Sequence, residues 1–118
     1  LYPQFYFITD WPTRSKAFYI KPRGDKPDLC EGFDLIWRWI ELVSGGTRIA
    51  EKELLISRLI ERGLNPDAFK HHLQAFDYGM PPHAGWAIGL ERLTMVLTGE
   101  KNIREVTLYP RDRVRLTP

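Results

Sequence analysis

The chain has 118 residues, 43% of them hydrophobic and 13% aromatic, enough for a core and too apolar for a disordered segment. Seventeen basic residues against fifteen acidic ones leave a net charge of +2, which excludes a broad electrostatic footprint for nucleic acid. The single cysteine, Cys30, excludes an internal disulfide framework and fits a reducing, cytoplasmic setting. No apolar run of about 18 residues is present to span a membrane, and no signal peptide is apparent. The chain opens "LYPQFYF" without methionine, as a piece cut from a longer protein would. The ending "RDRVRLTP" is locally basic, as a solvated tail commonly is.

"QFYFITDW" is rich in aromatic and β-branched residues and predicts a strand ending at Pro12. "TRSKAFYI" reads as a loop passing into another short strand, and "KPRGDKPDLCEG", with its prolines and glycines among charges, as a loop. "FDLIWRWIELV" is strongly strand-like. From Glu51 the period changes: Leu54, Leu55, Ile56, Leu59 and Ile60 fall mostly on one helical side, and Gly63 stops the run. A second helix starts with Asn65 as cap and Pro66 at its first position, and ends at Gly79. Trp86 to Ile88 predicts a strand, followed by a helix from about Leu90 with Leu93, Val96 and Leu97 on its apolar face. Gly99 stops it, and "REVTLYP" predicts a last strand closed by Pro110. No internal repeat or low-complexity stretch interrupts this order. The fold class is α+β, an antiparallel sheet flanked by helices.

Four residues of "FDLIWRWIELVSGGTRI" carry chemistry: Asp34, Glu41, Ser44 and Arg48. A chain reversal near Trp37 and Arg38 would make Asp34 and Glu41 cross-strand neighbours, and two carboxylates so placed call for a cation between them. Mg²⁺ bound with a nucleotide uses one or two carboxylates plus phosphate oxygens. The plain alternative leaves both acids solvated on an outer face. In "SGGTR" the glycines permit close backbone approach, and Arg48 can hold a carboxylate with two parallel hydrogen bonds; a turn or bulge with Arg48 at the surface is the alternative. "HAGWAIGLERLTMVLTG" puts Arg92 in the first turn of a helix, where the dipole disfavours positive charge. Gly85 and Gly89 flank the strand-to-helix junction, a place where backbone N–H groups bind phosphates. Pairing of Arg92 with Glu91 or Asp77 at the surface is the plainer reading. His71 and His72 diverge on their helix and make a poor metal pair, and His83 lies in the loop before the junction. No Ser/His/Asp or Cys/His set has a recognisable spacing.

"GWAIGLERL" resembles motif 3 of the class II aminoacyl-tRNA synthetases. "FITDWP", "FDLIWRWIELVSGGTRI", "GLNPDAF", "AFDYGMPPHAGWAIGLERL" and "NIREVTLYPRDRVRLTP" extend the likeness to the aspartyl-tRNA synthetases of the archaeal and eukaryotic type. The likeness runs almost from end to end and covers the C-terminal part of that catalytic domain, so residues 1–118 are expected to form one such portion. Motifs 1 and 2 and the anticodon-binding barrel would lie outside it. The resemblance implies ATP-dependent activation of L-aspartate and transfer to the 3′ end of tRNA(Asp), or of tRNA(Asn) as well, by a homodimeric, Mg²⁺-dependent ligase. It implies that Glu41, Gly89, Leu90, Glu91 and Arg92 bind ATP, that Ser44 and Arg48 bind aspartate, and that Glu41, Ser44 and Asp34 serve the metal. Lys16 and Ala17 depart from the arginine and proline usual before "FY", and "SGGTR" departs from Ser-Gly-Ala-Gln-Arg. Catalytic residues are expected in the missing part, so the chain alone should be inactive. A related asparagine synthetase using aspartate, ATP and ammonia, and a non-catalytic interaction module, are the alternatives.

Overall fold

The computed structural model describes residues 4–117; the ends of the expected domain, residues 1–3 and 118, lie outside the described residues. Four strands, β1 (Phe5–Thr9), β2 (Gly32–Trp37), β3 (Ile40–Thr47) and β4 (Ala84–Ile88), form one sheet in the order β1-β2-β3-β4. Every neighbouring pair is antiparallel. Three helices follow or separate them: α1 (Lys52–Glu61), α2 (Lys70–Asp77) and α3 (Leu90–Thr98). The expected α+β class, a sheet with flanking helices, is what the chain builds.

"FDLIWRWIELV" is not one strand but two, reversing at Arg38 and Trp39, one residue later than expected. Arg38 takes a left-handed φ of 54°, uncommon for a residue with a side chain. The turn is pinned from β1, because the Tyr6 hydroxyl donates to the Arg38 carbonyl at 2.8 Å and Arg38 N–H donates to the Gln4 carbonyl at 2.9 Å.

The β2–β3 register shifts between Leu35 and Ile36, so that Leu35 pairs with Val43 and Ile36 with Glu41. The later turn and this bulge together overturn one expectation. Asp34 faces Ser44 across the ladder rather than Glu41. The bulge has a second effect. Glu41 and Ser44 are three residues apart and would point to opposite faces of a regular strand. Asp34 and Ile36 share a face, and their partners are Ser44 and Glu41, so the extra residue returns Glu41 to the Ser44 side.

Helix α1 follows the apolar period: Leu55 and Leu59 are buried, while Leu54 and Ile56 are half-buried. Ile60 does not join them and stands 61% exposed. Leu55 and Leu59 meet Ile49 and Leu73 in the core, with Phe18, Phe69 and Phe76 packed around them. Gly63 and Gly99 close α1 and α3 at φ of 68° and 77°, the left-handed stop expected of both. Asn65 caps as expected by accepting from Asp67 N–H at 3.0 Å, but it caps a 3₁₀ turn (Pro66–Phe69) that runs into α2.

Two expected strands do not form. "TRSKAFYI" makes a 3₁₀ turn at Thr13–Ser15, and then touches the sheet through one isolated bridge, Ile20 to Arg48. "REVTLYP" becomes a 3₁₀ turn at Ile103–Val106. There the Asn102 side chain accepts from Arg104 N–H at 3.1 Å, a local bond that competes with strand pairing.

Candidate active site

Strand β3 organises the site because it lies inside the sheet, paired on both sides. Its glycines let its neighbours come close. A Cβ on Gly46 would sit 2.5 Å from the Glu31 carbonyl oxygen, and one on Gly45 2.5 Å from Trp86 Cβ. The small pair in "SGGTR" is therefore strand interior, not a turn.

Ser44 and Asp34 face each other, and between them lies a side chain that the sequence reading noted only as a departure. Lys16 Nζ lies 2.5 Å from Asp34 Oδ1, 3.2 Å from Ser44 Oγ and 5.0 Å from the Trp11 ring centre. Asp34 is 3% exposed, so its carboxylate needs a cation, and Lys16 supplies it. Asp34 thereby has a partner other than a metal. The one signal in the sequence was an acid at an inward position of a strand; nothing in the spacing named its partner eighteen residues earlier.

Arg48 lies just beyond β3, its backbone N–H bonded to the His83 carbonyl at 2.9 Å. Its guanidinium stacks 4.6 Å over the Tyr19 ring. Gly85 makes room for it, since a Cβ there would approach Arg48 Nη2 to 2.9 Å. Among the described residues the Arg48 guanidinium has no hydrogen-bond or ion-pair partner. It borders a cavity of about 360 Å³ lined by Tyr19, His72, Phe76, His83 and Gly85. A cation held by stacking with its donors free is arranged to receive an anion with two hydrogen bonds. Tyr19 is a second residue that sequence reasoning missed.

The other end of the face is built by the β4-to-α3 junction. Gly89 N–H donates to the Leu42 carbonyl at 2.9 Å, which seats the start of α3 against β3. Arg92, one turn on, donates to the Glu41 carbonyl at 2.7 Å and lies 3.4 Å from Glu41 Oε1. The helix-start arginine thus pairs with Glu41, not with Glu91 or Asp77. Both side chains remain close to half exposed, at 47% and 46%, so the pair is weak and open to a ligand. Leu90 is 68% exposed and Glu91 is exposed.

Expected site residues thus fall into two groups along β3: Glu41, Gly89 and Arg92 at one end, and Ser44, Asp34 and Arg48 toward the other. His71 and His72 sit on α2, where His72 lines the Arg48 cavity together with His83, whose Nδ1 is 2.9 Å from the Pro81 carbonyl. Among the described residues, no three His, Cys, Asp or Glu side chains gather into a metal-binding set. Burial pushes the Cys30 thiol upward, which keeps it protonated and suits a packing role. None of the described helices is long and apolar enough to cross a membrane.

The family model of the class II tRNA synthetases (D, K and N) matches residues 2–113. The chain is 54% identical over 114 residues to the aspartate–tRNA(Asp/Asn) ligase of Methanothermobacter thermautotrophicus, covering 97% of itself and 26% of that protein. Among solved structures it superposes with a TM-score of 0.90 on the aspartyl-tRNA synthetase of Entamoeba histolytica, at 43% identity, over 98% of this chain and 24% of that one. The asparaginyl-tRNA synthetase of the same organism, solved with asparaginyl-adenylate, also gives 0.90, at 40% identity, over 97% and 26%. The chain therefore spans about a quarter of the length of the curated relatives it matches. A match over nearly every residue, a shared fold and a glycine-flanked strand-to-helix junction ending in Arg92 make one case: the chain belongs to the class II tRNA synthetases of the D, K and N group.

Proposed function

We propose that residues 1–118 are the C-terminal part of the catalytic domain of an aspartate–tRNA ligase, supplying one wall of the site where aspartate and ATP react. The carrying observation is Arg48, a stacked guanidinium with free donors beside a cavity, on the same sheet as the Lys16–Asp34–Ser44 cluster. Such a fork favours a carboxylate over an amide, which supports aspartate over asparagine as the amino acid. The two Entamoeba enzymes lean slightly the same way, at 43% identity to the aspartyl and 40% to the asparaginyl synthetase.

In this reading the aspartate side-chain carboxylate binds Arg48, with Ser44 and Lys16 bordering the amino acid. Lys16 is held for that role by Asp34. ATP lies toward Glu41, Gly89, Leu90, Glu91 and Arg92, with the guanidinium of Arg92 released from Glu41 to pack on the nucleotide. The aspartate α-carboxylate oxygen bonds to the α-phosphorus as the α,β-bridging P–O bond breaks, giving aspartyl-adenylate and pyrophosphate. A terminal ribose hydroxyl at the 3′ end of tRNA(Asp) then forms an ester with the aspartyl carbonyl as the acyl–phosphate bond breaks, releasing AMP and a proton. Whether tRNA(Asn) also accepts it is decided outside this chain.

Residues of this chain contribute positioning and charge, and the α-phosphate contacts come from the rest of the domain. Mg²⁺ arriving with ATP fits the donors present. Glu41 offers a half-exposed carboxylate on the Ser44 face, and an ion carried by phosphates needs only one or two such ligands. Bound there, it neutralises polyphosphate charge. Asp34, committed to Lys16, is left out of that set. A homodimeric, cytoplasmic ligase is the natural setting for the whole protein.

The test is a fusion in which this chain replaces the matching quarter of the Methanothermobacter relative. Aspartate-dependent ATP–pyrophosphate exchange by the fusion, with none from the chain alone, is the expected result. No exchange from a folded fusion would favour a non-catalytic module. Product analysis then separates a tRNA ligase from an ammonia-using asparagine synthetase.

A further inference from the structure

The ammonium group of Lys16 is set in place from one side by Asp34, Ser44 and Trp11. Its backbone is held from the opposite side, by a helix that carries none of the expected site residues. Arg62, the residue that closes α1, donates from Nη2 to the Lys16 carbonyl at 2.5 Å and to the Thr13 carbonyl at 3.2 Å. Arg58, one turn earlier and so on the same helical face, donates from its own Nη2 to the Thr13 carbonyl at 3.1 Å. Arg58 is 9% exposed and its Nη1 is occupied by Glu61. Two guanidinium groups therefore close on the two ends of the Thr13–Lys16 turn. Charge-assisted bonds of this kind are stronger and more directional than neutral ones. Thr13 is fastened further, its backbone N–H bonded to the Asp28 carbonyl and its hydroxyl to the Pro27 carbonyl.

Such fastening exceeds what a surface turn needs. A guanidinium as thoroughly buried as Arg58 is costly, and its Nε finds no partner. What the turn delivers is one side chain, Lys16, into the sheet face. We propose that Arg62, with Arg58 behind it, is a positioning residue that sets where the Lys16 ammonium stands. Helix α1 in this way fixes the amino-acid end of the site without touching the substrate. The link to aspartate rests on the function proposed above; the clamp on Lys16 does not.

The experiment uses the fusion enzyme and its Arg62→Ala and Arg62→Lys variants, with two readouts. The first is the rate at which an amine-acetylating reagent labels Lys16, followed peptide by peptide, with Lys21 and Lys52 as internal references. Arg62→Ala should raise Lys16 labelling several-fold, leave the references unchanged, and be partly reversed in Arg62→Lys. The second is pyrophosphate exchange. Arg62→Ala should raise the KM for aspartate by about tenfold or more, the scale of a misplaced contact, with the KM for ATP within about twofold. Unchanged Lys16 labelling overturns the clamp. So does a labelling rise shared by all three lysines with a matching fall in melting temperature, which marks a merely structural loss. If labelling responds but the unsubstituted fusion shows no exchange, the clamp stands and the aspartate reading falls.

Discussion

Two cations carry the proposed chemistry at the scale of single residues, and they differ in what holds them. Lys16 is compensated by the buried Asp34, whereas Arg48 is held by stacking on Tyr19 and keeps its donors free. Their substitutions should therefore read out differently. Lys16→Met leaves a carboxylate buried without its cation and should cost about 3 kcal/mol of stability, measurable by denaturant unfolding. A loss below about 1 kcal/mol would mean that Asp34 finds another partner. Arg48→Leu removes no internal ion pair, so stability should change little. In the fusion enzyme it should weaken aspartate binding by about 3 kcal/mol, more than a hundredfold in KM, with ATP nearly unaffected. An unchanged aspartate KM would remove Arg48 from the pocket. Arg48 was only a weak signal in "SGGTR", where a surface arginine is the plainer reading, and its proposed role came from the family resemblance. Lys16 was not legible, because the pairing that explains it crosses from a loop to a strand and leaves no local spacing.

Elements bring the candidate site residues together through the two neighbours of β3, the β2 register and the β4 glycine. The bulge at Leu35/Ile36 turns Glu41 onto the Ser44 face, and the absent side chain of Gly85 on β4 gives Arg48 its room. Gly85→Ala should crowd the flexible end of Arg48 rather than backbone. The expected outcome is a rise in aspartate KM of about tenfold, with a stability loss of about 1 kcal/mol or less, because a flexible tip can yield where backbone cannot. Equal loss of stability and affinity would show that the backbone moves instead. Helix periods and glycine stops were legible from α1 to α3, since amphipathic spacing and left-handed stops are local. The bulge was not, because a register shift is a relation between two strands. "REVTLYP" misled for a related reason: its β-branched and aromatic residues suit a strand, but Asn102 starts a turn before any ladder can pair it.

The whole molecule exposes more than its size predicts. Its accessible surface is 8810 Å² at 13.8 kDa, against about 6,600 Å² for a folded monomer of that mass. The radius of gyration is 17.7 Å, where a compact domain of this length has about 13.5 Å. Much of the excess is apolar: Phe5, Phe7, Trp86 and Ile88 on the sheet, Leu90 and Leu97 on α3, and Leu108, Tyr109, Val114 and Leu116 beyond it. The apolar face read on α3 is real but has little to pack against in this chain. Surface of this kind marks a contact site for other protein. The isolated chain should therefore bind a hydrophobic dye such as ANS strongly, and the fusion only weakly. Equal binding would mean that the relative's upstream part does not cover these residues. The sequence resemblance leads to the expectation of a part of a domain, and the dye comparison is its test.

The central claim is that one face of this sheet receives aspartate at Arg48 and nucleotide at Arg92. A crystal structure of the fusion with a non-hydrolysable aspartyl-adenylate analogue tests it most directly. The account predicts the aspartate side-chain carboxylate within hydrogen-bond reach of the Arg48 guanidinium, about 3 Å, with Arg92 moved off Glu41 and packed on the nucleotide. An analogue bound with its carboxylate away from Arg48, or with the Arg92–Glu41 pair intact and the nucleotide elsewhere, would contradict it.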